Sequence, residues 1–218
     1  MNRRTLVIGS VAGAVVAFAG ISAFYPHQLA GEATTPENNL VRFHSPIIGK
    51  AEAPVTIVEF LDPSCEACRA YYPIVKQIMG MFDGDVRLVI RYAPLHEGSD
   101  EAVKILEAAR LQGKFEPVLE AIFRDQPIWA AHSAPDLEKA WAAAQSAGLD
   151  VAKAREDAKS EAISRVLEQD IADMKAVDLK GTPTFFVNGK QLLSNGPRQL
   201  LELVATEVEA AQSGKPAS

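Results

Sequence analysis

Apolar positions change their period several times along this chain, and each change marks an element. Val55-Thr56-Ile57-Val58-Glu59-Phe60 is dense in β-branched and aromatic residues and reads as a strand, preceded by Pro46-Ile47-Ile48-Gly49 and Ala53-Pro54. After the turn Leu61-Asp62-Pro63-Ser64, the helical spacing of Tyr71, Ile74, Val75, Ile78 and Phe82 predicts a helix opening at Cys65 and buried on one face. Pro73 should kink it, and Asp83-Gly84-Asp85 ends it. Val86, Leu88, Ile90 and Tyr92 then alternate with Arg87 and Arg91, which reads as a second strand.

Ala93-Pro94 introduces a long helical section with four apolar stripes. Ala102, Ile105, Leu106 and Ala109 stop at Gly113, and Phe115, Val118, Leu119 and Ile122 follow. Leu137, Ala140, Trp141 and Ala144 open at Pro135-Asp136 and close at Gly148. The last stripe is Ile163, Val166, Leu167, Ile171 and Met174. Strand character returns at Thr184-Phe185-Phe186-Val187. Asn188-Gly189 is a two-residue hairpin signal, so Lys190 to Leu193 should pair back antiparallel. Pro197 suits the first turn of a final helix whose Leu200, Leu201, Val204 and Val208 would cover the sheet, with the tail frayed from Gln212.

Composition narrows the class. A length of 218 residues allows one domain with an insertion or two small ones, and 48% hydrophobic with 23% charged residues is ordinary for a chain with a real core. The formal charge is −6, and residues 1–30 hold Arg3 and Arg4 but no acid, so the remainder carries −8. An acidic domain without clustered Lys and Arg argues against a nucleic-acid partner. Asn2-Arg3-Arg4 precedes an uncharged apolar run from Leu6 to Tyr25, the layout of an export signal, and Arg3-Arg4-Thr5-Leu6 weakly resembles a twin-arginine signal. The run is also long enough to span a bilayer. Small-x-small sites lie early, at Ala17-Phe18-Ala19, or late, at Gly31-Glu32-Ala33. A cleaved signal and a membrane anchor over residues 5–25 both stay open. Either places the folded part in an oxidising compartment, here the bacterial periplasm. Residues 31–39 read as a polar tether.

The candidate chemistry is Cys65-Glu66-Ala67-Cys68, the only two cysteines of the chain. This spacing keeps both sulfurs within bonding distance over one helical turn. A helix N-terminus offers unpaired N–H groups and a positive dipole end, which favour a thiolate. Thiolates so placed have a pKa of roughly 3.5 to 7.5 and exchange readily near neutral pH. Two other uses of the pair remain. A structural zinc site wants four ligands, yet no second pair exists and His27, His44, His96 and His132 show no ligand spacing. An inert disulfide would gain little entropy from so short a loop.

The order strand, C-x-x-C helix, strand, helical block, strand, hairpin strand, helix, with Glu59-Phe60-Leu61-Asp62 before the cysteines and Thr182-Pro183 before the third strand, resembles the DsbA-like thiol:disulfide oxidoreductases of the thioredoxin superfamily. The likeness runs from about Leu40 to Val208. It implies an α/β thioredoxin fold with an inserted helical subdomain: core at 40–97 and 176–212, insertion at 98–175, flexible tail at 213–218. It also implies an enzyme without a cofactor, acting on protein thiols or disulfides and recharged by a membrane redox partner. Cys65 is then the exposed attacking cysteine that forms the mixed disulfide, and Cys68 the resolving one. Glu59 is the buried acid that relays protons to Cys68. Thr182-Pro183 is the cis-proline loop that lies against the cysteines and pairs with a substrate strand. Asp62, which could cap the helix or repel anionic partners, and His96, read as a loop histidine, are weaker candidates.

Two departures matter. The best-known members carry Pro-His between the cysteines, whereas Glu66-Ala67 stands here, and Glu66 should oppose a thiolate. A less acidic Cys65 and a weaker oxidant are therefore expected. Thr182 resembles the isomerase and reductase relatives, but the tether is too short for their dimerisation domain. An alternative from another class keeps the dithiol as a soft-metal site, binding copper(I) during metal stress.

Overall fold

The structure is a computed structural model and describes residues 39–131, 134–194 and 196–214. The expected signal or anchor and nearly all of the tether lie outside the described residues. No helix among the described residues is long and apolar enough to cross a membrane.

One five-stranded sheet organises the fold: β1 (Ile47–Ile48), β2 (Val55–Leu61), β3 (Val86–Tyr92), β4 (Thr184–Val187) and β5 (Lys190–Gln191), in the order β1-β3-β2-β4-β5. β2 and β3 run parallel, with Glu59 beside Ile90, and the other pairs are antiparallel. A parallel pair needs a crossover, and α1 (Glu66–Met81) supplies it. Between β3 and β4 the chain forms α2 (Ser99–Leu111), α3 (Phe115–Arg124), α4 (Gln126–Trp129), α5 (Leu137–Ser146), α6 (Val151–Asp157) and α7 (Glu161–Ala176). α8 (Pro197–Ser213) closes the order. This is a thioredoxin-like fold with an inserted helical region.

Strand alternation sorts the side chains onto two faces. Val55, Ile57 and Leu61 of β2, Leu88, Ile90 and Tyr92 of β3, and Phe185 and Val187 of β4 join the larger core with both cysteines and the helical stripes. Glu59 shares that face by register. Val58, Phe60, Val89 and Phe186 form a smaller core on the reverse, closed by Leu40, Met174, Val177 and Leu179.

Arg91, one of the two arginines that alternate with the apolar residues of β3, is fully buried. The reverse face is covered, so its cation must be paired. Arg91 Nη2 donates to Asp170 Oδ1 at 2.8 Å and Asp173 Oδ2 at 2.6 Å, and the guanidinium lies 5.4 Å from the Phe60 ring centroid. Asp170 also accepts from Tyr92 N at 2.8 Å and sits 2.8 Å from His44 Nε2, while Arg42 Nη2 donates to Asp173 Oδ1 at 2.6 Å. These contacts clasp the start of the described chain and α7 onto the sheet.

Smaller differences have local reasons. The hairpin turns as its sequence predicts, with Asn188 and Gly189 both at positive φ (45° and 83°), but β5 stops at Gln191. Beyond it Leu192 N still bonds Phe185 O at 2.9 Å, and Leu193 is turned out to solvent. α8 runs past the expected fraying point because Gln212 Nε2 is held by Asp85 Oδ2 at 2.9 Å. α4 and α6 are too short to write a readable stripe.

Asp170→Ala should leave the Arg91 guanidinium buried with half its partners and cost about 3–5 kcal/mol in urea unfolding. A loss below about 1 kcal/mol, the range of an exposed pair, would contradict this reading of the clasp.

Candidate active site

The site forms where β2 ends. Leu61 closes the strand, Asp62-Pro63-Ser64 turn, and Cys65 caps α1 with extended backbone angles and no side-chain cap bond. The cap position leaves the first N–H groups of the helix near Cys65 Sγ. Four attachments fix the turn. Cys65 N bonds Asp62 O at 3.1 Å. Asp62 N approaches Cys68 Sγ at 3.5 Å. From α4, Gln126 Nε2 donates to Pro63 O at 2.8 Å and Cys65 O at 3.0 Å. The buried Asp62 carboxylate accepts from Ser64 N at 2.8 Å, from Leu95 N at 2.7 Å and from His96 N at 3.0 Å. It also accepts from Ser99 Oγ and sits 2.7 Å from His96 Nδ1.

Glu59, Cys65, Cys68, Thr182 and Pro183 come together, although more than a hundred residues of chain separate the first three from the last two. Both cysteines are free thiols. Cys65 Sγ lies 3.4 Å from Thr182 O, and the Thr182-Pro183 peptide bond is cis. The expectation of an exposed Cys65 needs correction: the residue keeps 6% of its surface, because the Thr182 loop lies against its sulfur. Cys68 keeps none, so the order of access between the two is the expected one. Glu59 is fully buried, and neither carboxyl oxygen has a hydrogen-bond partner among the described residues.

These surroundings drive the three groups apart. The Cys65 thiol is pushed down to about 5: the Cys68 thiol hydrogen-bonds its sulfur, burial works against the charge, and Thr182 with the Cys68 and Ala67 N–H groups adds support. Cys68 is raised, by burial first and then by Cys65 and Glu59. Glu59 is pushed up to about 8 by burial and, secondarily, by the Cys65 charge. At neutral pH the arrangement is one thiolate, one thiol and one protonated carboxyl. It suits nucleophilic attack at Cys65 and proton transfer beneath it. Only the two sulfurs could hold a soft metal here, and no group of three or more His, Cys, Asp or Glu gathers as metal ligands among the described residues.

Asp62 does not cap the helix; it ties the cysteine turn to the loop after β3. Gln126, Ser64 and Ser99 were not readable as site residues, since each reaches the turn through a tertiary contact that leaves no local pattern.

Paired thiols at a helix mouth, on this sheet, define the class of thioredoxin-like proteins with a C-x-x-C site. The model of the family described as Thioredoxin matches residues 43–205, and the chain belongs to that family. Among solved structures, a thioredoxin-like oxidoreductase from Silicibacter pomeroyi DSS-3 is 29% identical with a TM-score of 0.66, covering 79% of this chain and 94% of that one. BdbD from Bacillus subtilis, in its oxidised form, shares the fold at 24% identity and TM-score 0.68, over 76% of this chain and 94% of that one. Among curated proteins, the Na(+)/H(+) antiporter NhaA of Herminiimonas arsenicoxydans is 34% identical over 67% of this chain and 22% of its own length. The chain thus spans only about a quarter or less of the curated relatives it matches.

The Glu59 assignment has a signed consequence. An acid whose folded pKa is raised contributes stability that is whole below its unfolded value and is lost as pH rises toward the folded one. Between pH 4.5 and about 8 the parent should therefore lose stability relative to Glu59→Gln, by on the order of a few kcal/mol. Parallel stability–pH curves for parent and variant would contradict a buried, neutral Glu59.

Proposed function

We propose that the chain is an exported protein thiol:disulfide oxidoreductase whose Cys65-Cys68 pair exchanges with protein substrates through a mixed disulfide at Cys65. The observation that carries this reading is the asymmetry of the pair: Cys65 lowered to about 5 at the helix mouth against Thr182, Cys68 raised in the core behind it. In the oxidising direction a substrate thiolate attacks Cys65 Sγ, the Cys65–Cys68 bond breaks, and Cys68 leaves with a proton from Glu59. A second substrate thiolate then attacks the substrate sulfur and displaces Cys65 as thiolate. The substrate loses two electrons and the enzyme gains them. In the reducing direction Cys65 attacks, and Cys68 resolves after giving its proton to Glu59. Glu59 suits this second role because the Cys65 charge, part of what keeps it protonated, vanishes in the mixed disulfide.

The Cys65 thiol lies below the ordinary thiol range, as thiols at helix N-termini do. Glu66-Ala67 between the cysteines supports a couple weaker than that of the members with Pro-His there. A cleft of about 390 Å³ lined by Thr182, Pro183, Gln191 and Leu193 shares Thr182 with the Cys65 contact, and we take it as the place where an extended substrate segment lies. We take residues 40–97 and 176–212 as the thioredoxin-like core and 98–175 as the inserted subdomain, on the strength of the six helices between β3 and β4. Residues 1–30 serve export, and a membrane redox partner resets the pair.

Cys68→Ser, incubated with a reduced peptide carrying two cysteines and oxidised glutathione, should accumulate a mixed disulfide at Cys65, whereas Cys65→Ser should accumulate none. Exchange by Cys65→Ser at the parent rate would contradict the assignment. Tight copper(I) binding by a reduced parent that exchanges no thiols would favour the metal reading instead.

A further inference from the structure

The loop after β3 contributes more to the site than its sequence suggested. The Asp62 carboxylate bridges the cysteine turn to Leu95, His96 and Ser99, and Ser99 Oγ lies 2.8 Å from Ser64 Oγ, one residue before Cys65. His96 Nδ1 is pinned 2.7 Å from Asp62 Oδ2, with about a third of the side chain exposed. Asp62 joins this imidazole to the cysteine turn, since its backbone O also accepts from Cys65 N at 3.1 Å, and Asp62 from the end of β2 and Cys65 and Glu66 from the start of α1 are among the groups whose charge acts on the ring. All three are negative when ionised.

We propose that His96 is the positioning residue for the active-site charge: its imidazolium, held by Asp62 at the cysteine turn, supplies there the positive charge that Glu66-Ala67 does not, and its proton is linked to the redox state of the pair. The inference rests on the thiol-exchange reading of Cys65. Burial works against the imidazolium, but the hydrogen bond to Asp62, the Asp62 charge, Cys65 and Glu66 together outweigh it and raise its pKa. The Cys65 thiolate exists only in the reduced protein; in the disulfide and the mixed disulfide that charge is gone. The imidazole therefore holds its proton more tightly in the reduced state. Linkage is reciprocal, so the protonated imidazole favours the reduced state by the same factor and makes the couple more oxidising. A histidine that merely clamped the loop through Asp62 would titrate alike in both states.

The test is an NMR titration of the His96 ring in the reduced and the disulfide forms of the parent chain, with glutathione equilibria of parent and His96→Gln beside it. Glutamine keeps an N–H donor for Asp62 but cannot carry the charge. The ring pKa should be higher in the reduced form by roughly half to one unit. The glutathione equilibrium of His96→Gln should move toward disulfide by the corresponding roughly three- to tenfold, and the difference should fade above the pH at which the parent ring titrates. Equal ring titrations in the two forms would overturn the proposal, and that measurement needs no variant to fold. A parent that forms the disulfide yet exchanges it with no thiol would sink the proposed function while leaving the linkage measurable.

Discussion

One constraint governs this site: two sulfurs sit within bonding distance, and the fold stabilises a charge on only one of them. Cys65 stands where α1 begins, with the Ala67 and Cys68 N–H groups, the Cys68 thiol and Thr182 arranged around its sulfur. Cys68 stands one turn deeper, against a sheet that offers no solvent and a carboxyl whose own charge would repel a second thiolate. Charge separation of this kind divides the labour of disulfide exchange, giving one sulfur that attacks or leaves at neutral pH and one that acts only when its proton has somewhere to go.

The rest of the molecule serves that division. The parallel β2–β3 pair brings α1 back across the sheet and directs Glu59 toward the cysteines rather than the reverse face. The β4 loop carries Thr182 to Cys65, and α4, within the inserted helices, sends Gln126 to the carbonyls of Pro63 and Cys65. The insertion is thus bonded to the active-site turn itself. On the reverse face the Arg91–Asp170–Asp173 clasp holds α7 and the chain start against β3 and keeps that side of the sheet dry.

Much of this was legible because local patterns carry it. The β-branched run before Cys65, the alternation in β3, the Asn-Gly hairpin and the four apolar helical stripes all report their elements directly. So did the clustering of Glu59, Cys65, Cys68 and Thr182-Pro183, through resemblance to a family. What stayed hidden depends on contacts between distant segments. Arg91 looks like an exposed alternate residue until the acids of α7, nearly 80 residues on, are seen beneath it. His96 looks like an ordinary loop residue until its ring is found on Asp62. Exposure of Cys65 was misjudged for the same reason, since the covering carbonyl comes from Thr182.

The most direct test of the charge asymmetry is a pH titration of thiolate absorbance in the reduced protein. One thiol should ionise with a midpoint near 5, absent in Cys65→Ser, while the second stays protonated beyond the ordinary thiol range. Two thiols titrating together near the unperturbed value of about 8.5 would contradict the account.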